Sequence, residues 1–246
     1  MRKIPKIVHY CWFGNGEKPD NIKAYIETWK EKMPDYEFME WNEQNFDVEK
    51  SIPYVRQAYE AKKYAFVSDY VRIKALYQYG GIYFDTDVEV RKPFEEFLEG
   101  KSMVAGFESY RSLLTAFIAV EKEHPFMKEF LETYTHRNFV NEDGSYDMSV
   151  INAGFSQLME RKGLNLERNE YQELQGDIAV YPEEYFCGFD VKNWHESITE
   201  KTCTVHYMNS SWVSGTKGMK VKVIQTLQKI LGYKNYDKIK KVLRGK

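Results

Sequence analysis

Residues 80–90 read GGIYFDTDVEV, and this stretch decides the fold. Two glycines are typical of a helix end, and the β-branched and aromatic residues after them predict a strand. Acids then stand at every second position, at Asp85, Asp87 and Glu89. Residues i and i+2 of a strand point the same way, so a continuous strand would place Asp85 and Asp87 on one side. Two close carboxylates raise each other's pKa unless a cation lies between them.

The acidic pair predicts a metal site at the end of a buried strand. Carboxylate oxygens suit Mg²⁺ or Mn²⁺. Mg²⁺ commonly takes one or two carboxylates and completes its shell with water and substrate phosphates. The alternative is a solvated turn, because an Asp-x-Asp pattern occurs by chance in many proteins.

The flanking segments predict an α/β fold. Strand and helix patterns alternate toward the acidic stretch, which indicates a mostly parallel sheet with right-handed crossovers. Ligands of such sheets bind outside the carboxyl ends of the strands, where these acids lie. The predicted strands are 4–12, 36–41, 82–84, 180–189 and 203–207, and the predicted helices are 19–32, 54–79, 124–137 and 150–162.

A second acid lies on an apolar helix face. In the predicted helix 54–79, Asp69 falls in a stripe with Phe66, Ile73 and Leu76. A buried carboxylate needs a partner, and Arg72 follows three residues later. Two interpretations stay open, a structural ion pair or a pair that binds ligand hydroxyls and phosphate.

Composition indicates a globular protein of one large domain. The chain has 246 residues, with 43% hydrophobic, 29% charged and 16% aromatic residues. The aromatic residues fill a core or hold flat ligands such as bases and sugars. Three cysteines without metal-ligand spacing favour a reducing compartment. The first residues lack a signal-peptide pattern and no run reaches the ~18 apolar residues of a membrane span, so we expect a cytoplasmic protein.

The charge is divided unevenly along the chain. Residues 216–246 hold ten Lys or Arg and one acid, whereas the chain as a whole has a net charge of −2. We therefore expect a body, 1–215, and a basic amphipathic helical tail, 216–246. Such a tail either lies on an anionic membrane at the inner face or packs on the body with its lysines in water. No nucleic-acid motif accompanies it.

Three segments together resemble the glycosyltransferases of family 32. They are 65–72 (AFVSDYVR), 80–87 (GGIYFDTD) and 4–14 (IPKIVHYCWFG), and the likeness returns at 205–212 (VHYMNSSW). These enzymes carry an Asp-x-Asp (DXD) motif, and similar elements occur in the catalytic domains of glucosylating toxins. The resemblance implies a GT-A fold, a nucleotide-sugar donor, a divalent metal and transfer with retention of anomeric configuration.

The resemblance also implies roles for single residues. Trp12 would stack on the donor base, with a core tryptophan as the alternative. Asp69 and Arg72 would hold sugar or ribose hydroxyls and the diphosphate. Asp87 would be the direct metal ligand, and Arg72 would help it to stabilise the leaving group. Asp85 would contact the donor and the metal.

Further donor contacts are implied outside the two motifs. Tyr83 would flank the donor, and Ser210 and Trp212 would close over its phosphates. His206 lies near the position of a last metal ligand, with a structural histidine as the alternative. The Gly-Pro expected before a later helix is absent, and Asn152 in that segment is a weaker candidate for contacting the transferred sugar.

The sequence thus favours a metal-dependent hexosyltransferase of surface (capsular) polysaccharide synthesis. Its donor would be a nucleotide sugar, with a UDP-sugar preferred, and its acceptor a saccharide or a lipid-linked saccharide. One alternative is a non-catalytic nucleotide-sugar or carbohydrate-binding module. Another is a toxin-like transferase that glycosylates a protein. The retained acidic and basic side chains favour catalysis.

Overall fold

A computed structural model describes residues 3–191 and 194–208, and its centre is a seven-stranded sheet. The helices are α1 (Asp20–Lys32), α2 (Pro53–Glu60), α3 (Tyr64–Tyr79), α4 (Pro125–Glu132), α5 (Ile151–Arg161) and α6 (Glu183–Phe186), with a 3-10 turn at Glu95–Leu98. The strands are β1 (Ile7–Cys11), β2 (Glu37–Trp41), β3 (Gly81–Phe84), β4 (Val88–Val90), β5 (Met103–Ser109), β6 (Ser112–Val120), β7 (Gln172–Leu174), β8 (Ile178–Tyr181), β9 (Phe189–Asp190), β10 (His195–Glu196) and β11 (Thr204–His206).

The central sheet is mixed, with strand order β2-β1-β3-β6-β5-β8-β7. β1 pairs in parallel with β2 and β3, and β8 pairs in parallel with β5. β6 runs antiparallel to β3 and β5, and β7 runs antiparallel to β8. Five strands therefore point one way, and the α/β class with a mixed, mostly parallel sheet flanked by helices is confirmed.

Each face of the sheet has its own apolar core. Along β3, Tyr83 joins the cluster that contains α2–α5 residues, whereas Ile82 and Phe84 join the cluster around Trp29 of α1. This alternation follows from the period of two in a strand. Phe117 and Phe186 stack in the second cluster with ring centroids 4.1 Å apart. A sheet buried on both faces leaves its edges and strand ends for ligands.

The double glycine makes the sharp entry from α3 into β3. Gly80 and Gly81 have φ angles of 66° and 104°, in the left-handed region that favours glycine. A Cβ on Gly81 would lie 2.5 Å from the Ile7 carbonyl oxygen of β1. The Gly80 amide also donates to the Leu76 carbonyl and closes α3, as the sequence predicts.

Two predicted elements are wrong in their extent. The predicted helix 54–79 is two helices, because Lys62 adopts a left-handed φ of 56° between α2 and α3. The predicted strand 180–189 ends at Tyr181, because Pro182 starts the short helix α6. The first of these breaks matters for function, because it brings the Lys62–Tyr64 corner to the cavity described below.

Candidate active site

The acids of the opening motif lie in a tight turn between β3 and β4. The Val88 amide donates to the Asp85 carbonyl at 3.1 Å, and the Asp85 amide donates to the Ala116 carbonyl of β6 at 3.0 Å. The prediction of a continuous strand with both carboxylates on one side is therefore wrong, because β3 ends at Phe84. The turn still presents Asp85 and Asp87 together at the carboxyl edge of the sheet.

Helix α1 supports this turn from beneath. The indole of Trp29 donates to the Val88 carbonyl at 2.7 Å, and the Val90 amide donates to the Thr28 hydroxyl at 3.0 Å. The third acid of the motif faces elsewhere, since Glu89 accepts a hydrogen bond from the Tyr207 hydroxyl at 2.5 Å. Two of the three acids therefore form the site.

Strand β11 delivers a histidine to the acidic turn. β11 pairs antiparallel with β4 and sets His206 opposite Val88. The Nε2 of His206 then lies 3.2 Å from an Asp87 carboxylate oxygen. One possible ligand atom from each of Asp85, Asp87 and His206 lies within 4.8 Å of the others. The structure thus brings the three predicted metal ligands together, and their metal binding stays a prediction.

The environment of this trio suits a divalent cation. Burial alone would lower the pKa of His206, but the charge and hydrogen bond of Asp87 outweigh it and raise that pKa to about 9. The Nδ1 of His206 is buried and has no hydrogen-bond partner among the described residues. Two carboxylates and an imidazole are ligands that Mn²⁺ accepts, and Mg²⁺ prefers the carboxylates. The residues present therefore fit the implied metal, and Asp85, Asp87 and His206 are the side chains that would hold it.

A buried arginine ties α3 to the acidic turn. The Arg72 guanidinium lies 2.8 Å from Asp69 and 3.1 Å from Asp85, and it donates to the Thr115 carbonyl at 2.8 Å. Its plane also lies over the Tyr83 ring, 4.6 Å from the centroid. The predicted ion pair of Asp69 and Arg72 is confirmed, and the same guanidinium holds Asp85 in place.

The other members of this network are fixed by the same contacts. Burial raises the pKa of Asp69 to about 6, against the opposing charge of Arg72. The Tyr83 hydroxyl donates to Asp85 at 3.0 Å. Tyr83 is only 1% exposed but lines the cavity, and the prediction that it flanks the donor stays a prediction.

A cavity of about 540 Å³ opens beside the turn, within the usual size range of small-molecule pockets. Its lining includes Asp69, Arg72, Asp85, Asp87 and residues of the α2–α3 corner. The rest of the lining includes aromatic, apolar and basic residues, namely Trp12, Phe13, Pro19, Ile22, Lys63 and Tyr64. The cavity thus combines charged side chains with an aromatic and apolar lining.

Trp12 lines the cavity and is partly exposed, and its stacking on a donor base stays a prediction. Its indole nitrogen donates to the Gly16 carbonyl at 2.6 Å, and Lys18 lies 5.7 Å from the ring centroid. The indole is thus fixed in a loop and open to the cavity.

Asn152 lines the cavity from the first turn of α5. Its side-chain oxygen accepts from the Thr115 hydroxyl at 2.9 Å, and its nitrogen donates to the Leu113 carbonyl at 2.9 Å. These bonds tie Asn152 to β6, and the prediction that it contacts the transferred sugar stays a prediction.

The sequence pattern did not reveal one contributor to the site. The Thr115 carbonyl, which accepts from Arg72, is a backbone group that no motif shows.

Several predicted features lie outside the described residues. These are Ser210, Trp212 and the tail 216–246, so the division at residue 215 stays a prediction. Within the described residues, every helix is too short or too polar to cross a membrane.

Comparison with known proteins identifies the motif region. Residues 19–104 match the family model described as "Glycosyltransferase sugar-binding region containing DXD motif". The chain is 24% identical over 172 residues to inositol phosphoceramide mannosyltransferase 1 of Schizosaccharomyces pombe, covering 63% of this chain and 50% of that protein. It is 28% identical over 133 residues to initiation-specific alpha-1,6-mannosyltransferase of Candida albicans, covering 50% and 34%. The chain thus spans half or less of the length of these relatives.

Solved glycosyltransferase structures are also similar. The PaToxG glycosyltransferase has a TM-score of 0.49 at 21% identity, covering 65% of this chain and 69% of that one. The galactosyltransferase LgtC has a TM-score of 0.45 at 12% identity, covering 82% and 87%. The family match spans both Asp69–Arg72 and the DXD motif, Asp85 to Asp87. Residues 19–104 of the chain therefore resemble the DXD-containing sugar-binding region of glycosyltransferases.

Proposed function

We propose that the chain transfers a hexosyl group from a nucleoside-diphosphate sugar to a hydroxyl of a saccharide acceptor, with a divalent cation and with retention of configuration. The observation that carries the proposal is the meeting of Asp85, Asp87 and His206 within 4.8 Å, beside a cavity that also contains Asp69 and Arg72. The aromatic part of its lining suits a flat base, and the charged part suits a diphosphate.

The nucleoside binds at the aromatic part of the cavity lining. Trp12 offers an exposed ring for stacking on the base, and Lys63 lies in the same lining. The uridine donors suggested by the sequence and the mannosyl donors suggested by the names of the relatives both stay in the proposal. A cavity of about 540 Å³ admits either nucleotide class.

The charged part of the lining binds the diphosphate and the sugar. A bound Mn²⁺ or Mg²⁺ would supply positive charge against the leaving diphosphate. Asp85, Asp87 and His206 would hold this cation, and Arg72 keeps Asp85 aligned with the other two. Asp69 accepts hydrogen bonds from donor hydroxyls while its own charge is offset by Arg72.

The chemical step takes place on the face of the sugar that the diphosphate leaves. The acceptor oxygen bonds to the anomeric carbon as the bond to the diphosphate oxygen breaks, and the proton of the acceptor hydroxyl passes to a diphosphate oxygen. Because the fixed charges of the site are in place before the reaction, their catalytic contribution is electrostatic. The step needs no covalent intermediate on the protein.

The setting of the reaction is a separate part of the proposal. A cytoplasmic enzyme of surface polysaccharide synthesis would meet a lipid-linked acceptor at an anionic membrane, and the charge of residues 216–246 supports such a contact. Removing these residues is expected to reduce flotation with vesicles of phosphatidylglycerol and phosphatidylcholine. Unchanged flotation would contradict the membrane contact and leave the transfer chemistry untouched.

A donor screen tests the central proposal. The full chain is incubated with UDP-glucose, UDP-galactose and GDP-mannose, with Mn²⁺ or with EDTA, and release of the free nucleoside diphosphate is measured. We expect metal-dependent release from one donor and faster release with a saccharide acceptor pool. Metal-linked nucleotide binding without turnover of any donor would instead favour a binding module.

A further inference from the structure

Glu43 lies half-buried in the loop after β2, and the proposed mechanism gives it no role. Its carboxylate oxygen Oε1 accepts from the Gly14 amide at 2.6 Å and from the Tyr59 hydroxyl at 2.9 Å. A charged carboxylate forms shorter and stronger hydrogen bonds than a neutral oxygen does. Glu43 therefore joins the loop after β1, which contains Trp12, to helix α2.

The backbone of the loop after β1 is unusual and needs support. Gly14 and Asn15 have φ angles of 100° and 55°, both in the left-handed region. A Cβ on Gly14 would lie 2.5 Å from the ring of Tyr64, so the backbone packs directly on this first residue of α3. The bond from Gly14 to Glu43 and the contact with Tyr64 together fix the path of the loop.

The path of this loop sets the position of the Trp12 indole. The indole nitrogen donates to the Gly16 carbonyl at 2.6 Å, two residues after Gly14. The Trp12 amide is held separately, because it donates to the Trp41 carbonyl of β2 at 2.9 Å. A shift of Gly14 would therefore move Gly16 and release the indole, while the backbone of Trp12 stays anchored.

Glu43 acts from outside the cavity beside the acidic turn. Among the described residues, those that line this cavity include Trp12 and Tyr64 but not Glu43. Glu43 and Tyr59 line a second cavity, of about 500 Å³, together with residues 44–49. The carboxylate thus influences the first cavity through the loop that it holds.

We propose that Glu43 is a positioning residue for nucleotide binding, because it holds the loop after β1 so that the Trp12 indole faces the base of the donor. This inference rests on the proposed function, in which Trp12 stacks on that base. It assigns to Glu43 an effect on the affinity for the nucleoside and none on the affinity for the diphosphate and its cation.

The test separates the nucleoside from the diphosphate. Calorimetry with Mn²⁺ measures the affinity of the full chain for UDP, for GDP and for methyl diphosphate, which lacks the nucleoside. Glu43→Ala removes the acceptor of the Gly14 amide, and Glu43→Gln keeps an acceptor oxygen there. Glu49→Ala is the control, because Glu49 is an exposed acid that lines the same second cavity. Trp12→Ala is measured alone and combined with Glu43→Ala.

We expect Glu43→Ala to weaken binding of the preferred nucleoside diphosphate by about tenfold and to leave the affinity for methyl diphosphate within about twofold. Glu43→Gln should recover most of the lost affinity, and Glu49→Ala should lose none. In a chain that already carries Trp12→Ala, Glu43→Ala should cause no further loss, because the two residues act through one contact with the base.

Equal weakening of both kinds of ligand, an additive loss in the double variant, or full affinity in Glu43→Ala would overturn the inference. If Glu43→Ala does not fold, Glu43→Asp, whose shorter side chain draws the carboxylate away from Gly14, is measured with the same expectation. Full affinity in Trp12→Ala would contradict base stacking and this inference with it. If the unmodified chain binds no nucleoside diphosphate, the proposed function itself fails.

Discussion

Two buried histidines near the two ends of strand β3 have pKa values shifted in opposite directions. At the amino end, His9 accepts from the Trp41 indole at 3.2 Å and donates from Nε2 to the Gly80 carbonyl at 2.8 Å, so its ring is neutral. Burial lowers the pKa of His9 to about 4. At the carboxyl end, Asp87 raises the pKa of His206 to about 9.

The difference shows that neighbours, and not residue type or burial, set the function of each histidine. His9 is fully buried and His206 is 8% exposed, so burial does not distinguish them. Around His9 the neighbours are aromatic rings and a carbonyl, which complete a core. Around His206 they are carboxylates at the mouth of a cavity, which attract a cation. Four substitutions test this difference between the surroundings of His9 and those of His206.

Asp87→Asn should have the largest effect. It removes a charged metal ligand from the carboxyl end, so we expect turnover of the donor to fall by about a thousandfold, with little change in thermal stability. Nucleotide release from the donor and a melting curve measure the two quantities. Glu89→Gln, two residues away but turned toward Tyr207, is the matched control and should stay within about threefold. Retained turnover in Asp87→Asn would contradict the proposal that a metal bound by Asp87 takes part in the reaction.

Arg72→Met should have the next largest effect, and it should lower the free energy of unfolding as well as the activity. Its loss leaves Asp69 and Asp85 buried or partly buried without their shared cation, and the expected cost is about 3 kcal/mol in the free energy of unfolding. Urea denaturation measures this cost. Arg91→Met serves as the control, because Arg91 is an exposed residue that pairs with Glu89. Equal stability of the two variants would show that the Arg72 network is not a structural element.

The lowered pKa of His9 predicts that the stability of the fold depends on pH. Its pKa of about 4 in the folded protein lies below the unfolded value of about 6.5. Between pH 6.5 and pH 4 the unfolded chain therefore binds a proton at His9 that the folded chain does not bind. The free energy of unfolding decreases as the pH falls through this range. Between pH 6.5 and 5 the loss is about 2 kcal/mol.

His9→Gln removes this titration and should flatten the stability profile by that amount, even if it lowers stability at pH 7. Urea denaturation at pH 7, 6.5 and 5 measures the slope. His136→Gln, at an exposed site, should keep the original slope. A slope that His9→Gln leaves unchanged would mean that the ring already takes up protons in the folded state.

Tyr83→Phe should have the smallest effect of the four. It removes one hydrogen bond to Asp85 and keeps the ring that packs under Arg72. We expect turnover to fall by about fivefold, corresponding to about 1 kcal/mol, with the melting temperature nearly unchanged. Tyr10→Phe removes a similar bond to Glu40 away from the site and should leave turnover intact. Equal turnover in both variants would show that Asp85 needs no orientation from Tyr83.

Local pattern was sufficient to predict much of the sheet and half of the site. The apolar stripe around Asp69 predicts its burial and its pairing with Arg72, because both follow from helical periodicity. The spacing of Asp85 and Asp87 predicts a shared cation. The same spacing led to a wrong prediction of the backbone, because a strand and a tight turn both bring two such carboxylates together. The pairing of β3 with β6, which ends at Phe84, is a long-range feature that the spacing does not show.

Long-range contacts were beyond the reach of local pattern. His206 meets Asp87 through the pairing of β4 with β11, across more than a hundred residues, and the family resemblance was the signal that indicated it. The Thr115 carbonyl that accepts from Arg72 leaves no trace in side-chain pattern. The break at Lys62 was missed because one left-handed residue interrupts an otherwise continuous helical pattern.

Calorimetric titration of UDP and GDP, with and without Mn²⁺, is the direct test of whether a cation at the acidic turn binds the nucleotide. We expect Mn²⁺ to strengthen binding of at least one nucleoside diphosphate by about tenfold or more in the unmodified chain. We expect Asp87→Asn to lose this gain in affinity and to keep the weak binding measured without metal. Binding that is equally tight with Mn²⁺ and with EDTA, or a gain that survives in Asp87→Asn, would contradict a cation held at the carboxyl end of β3.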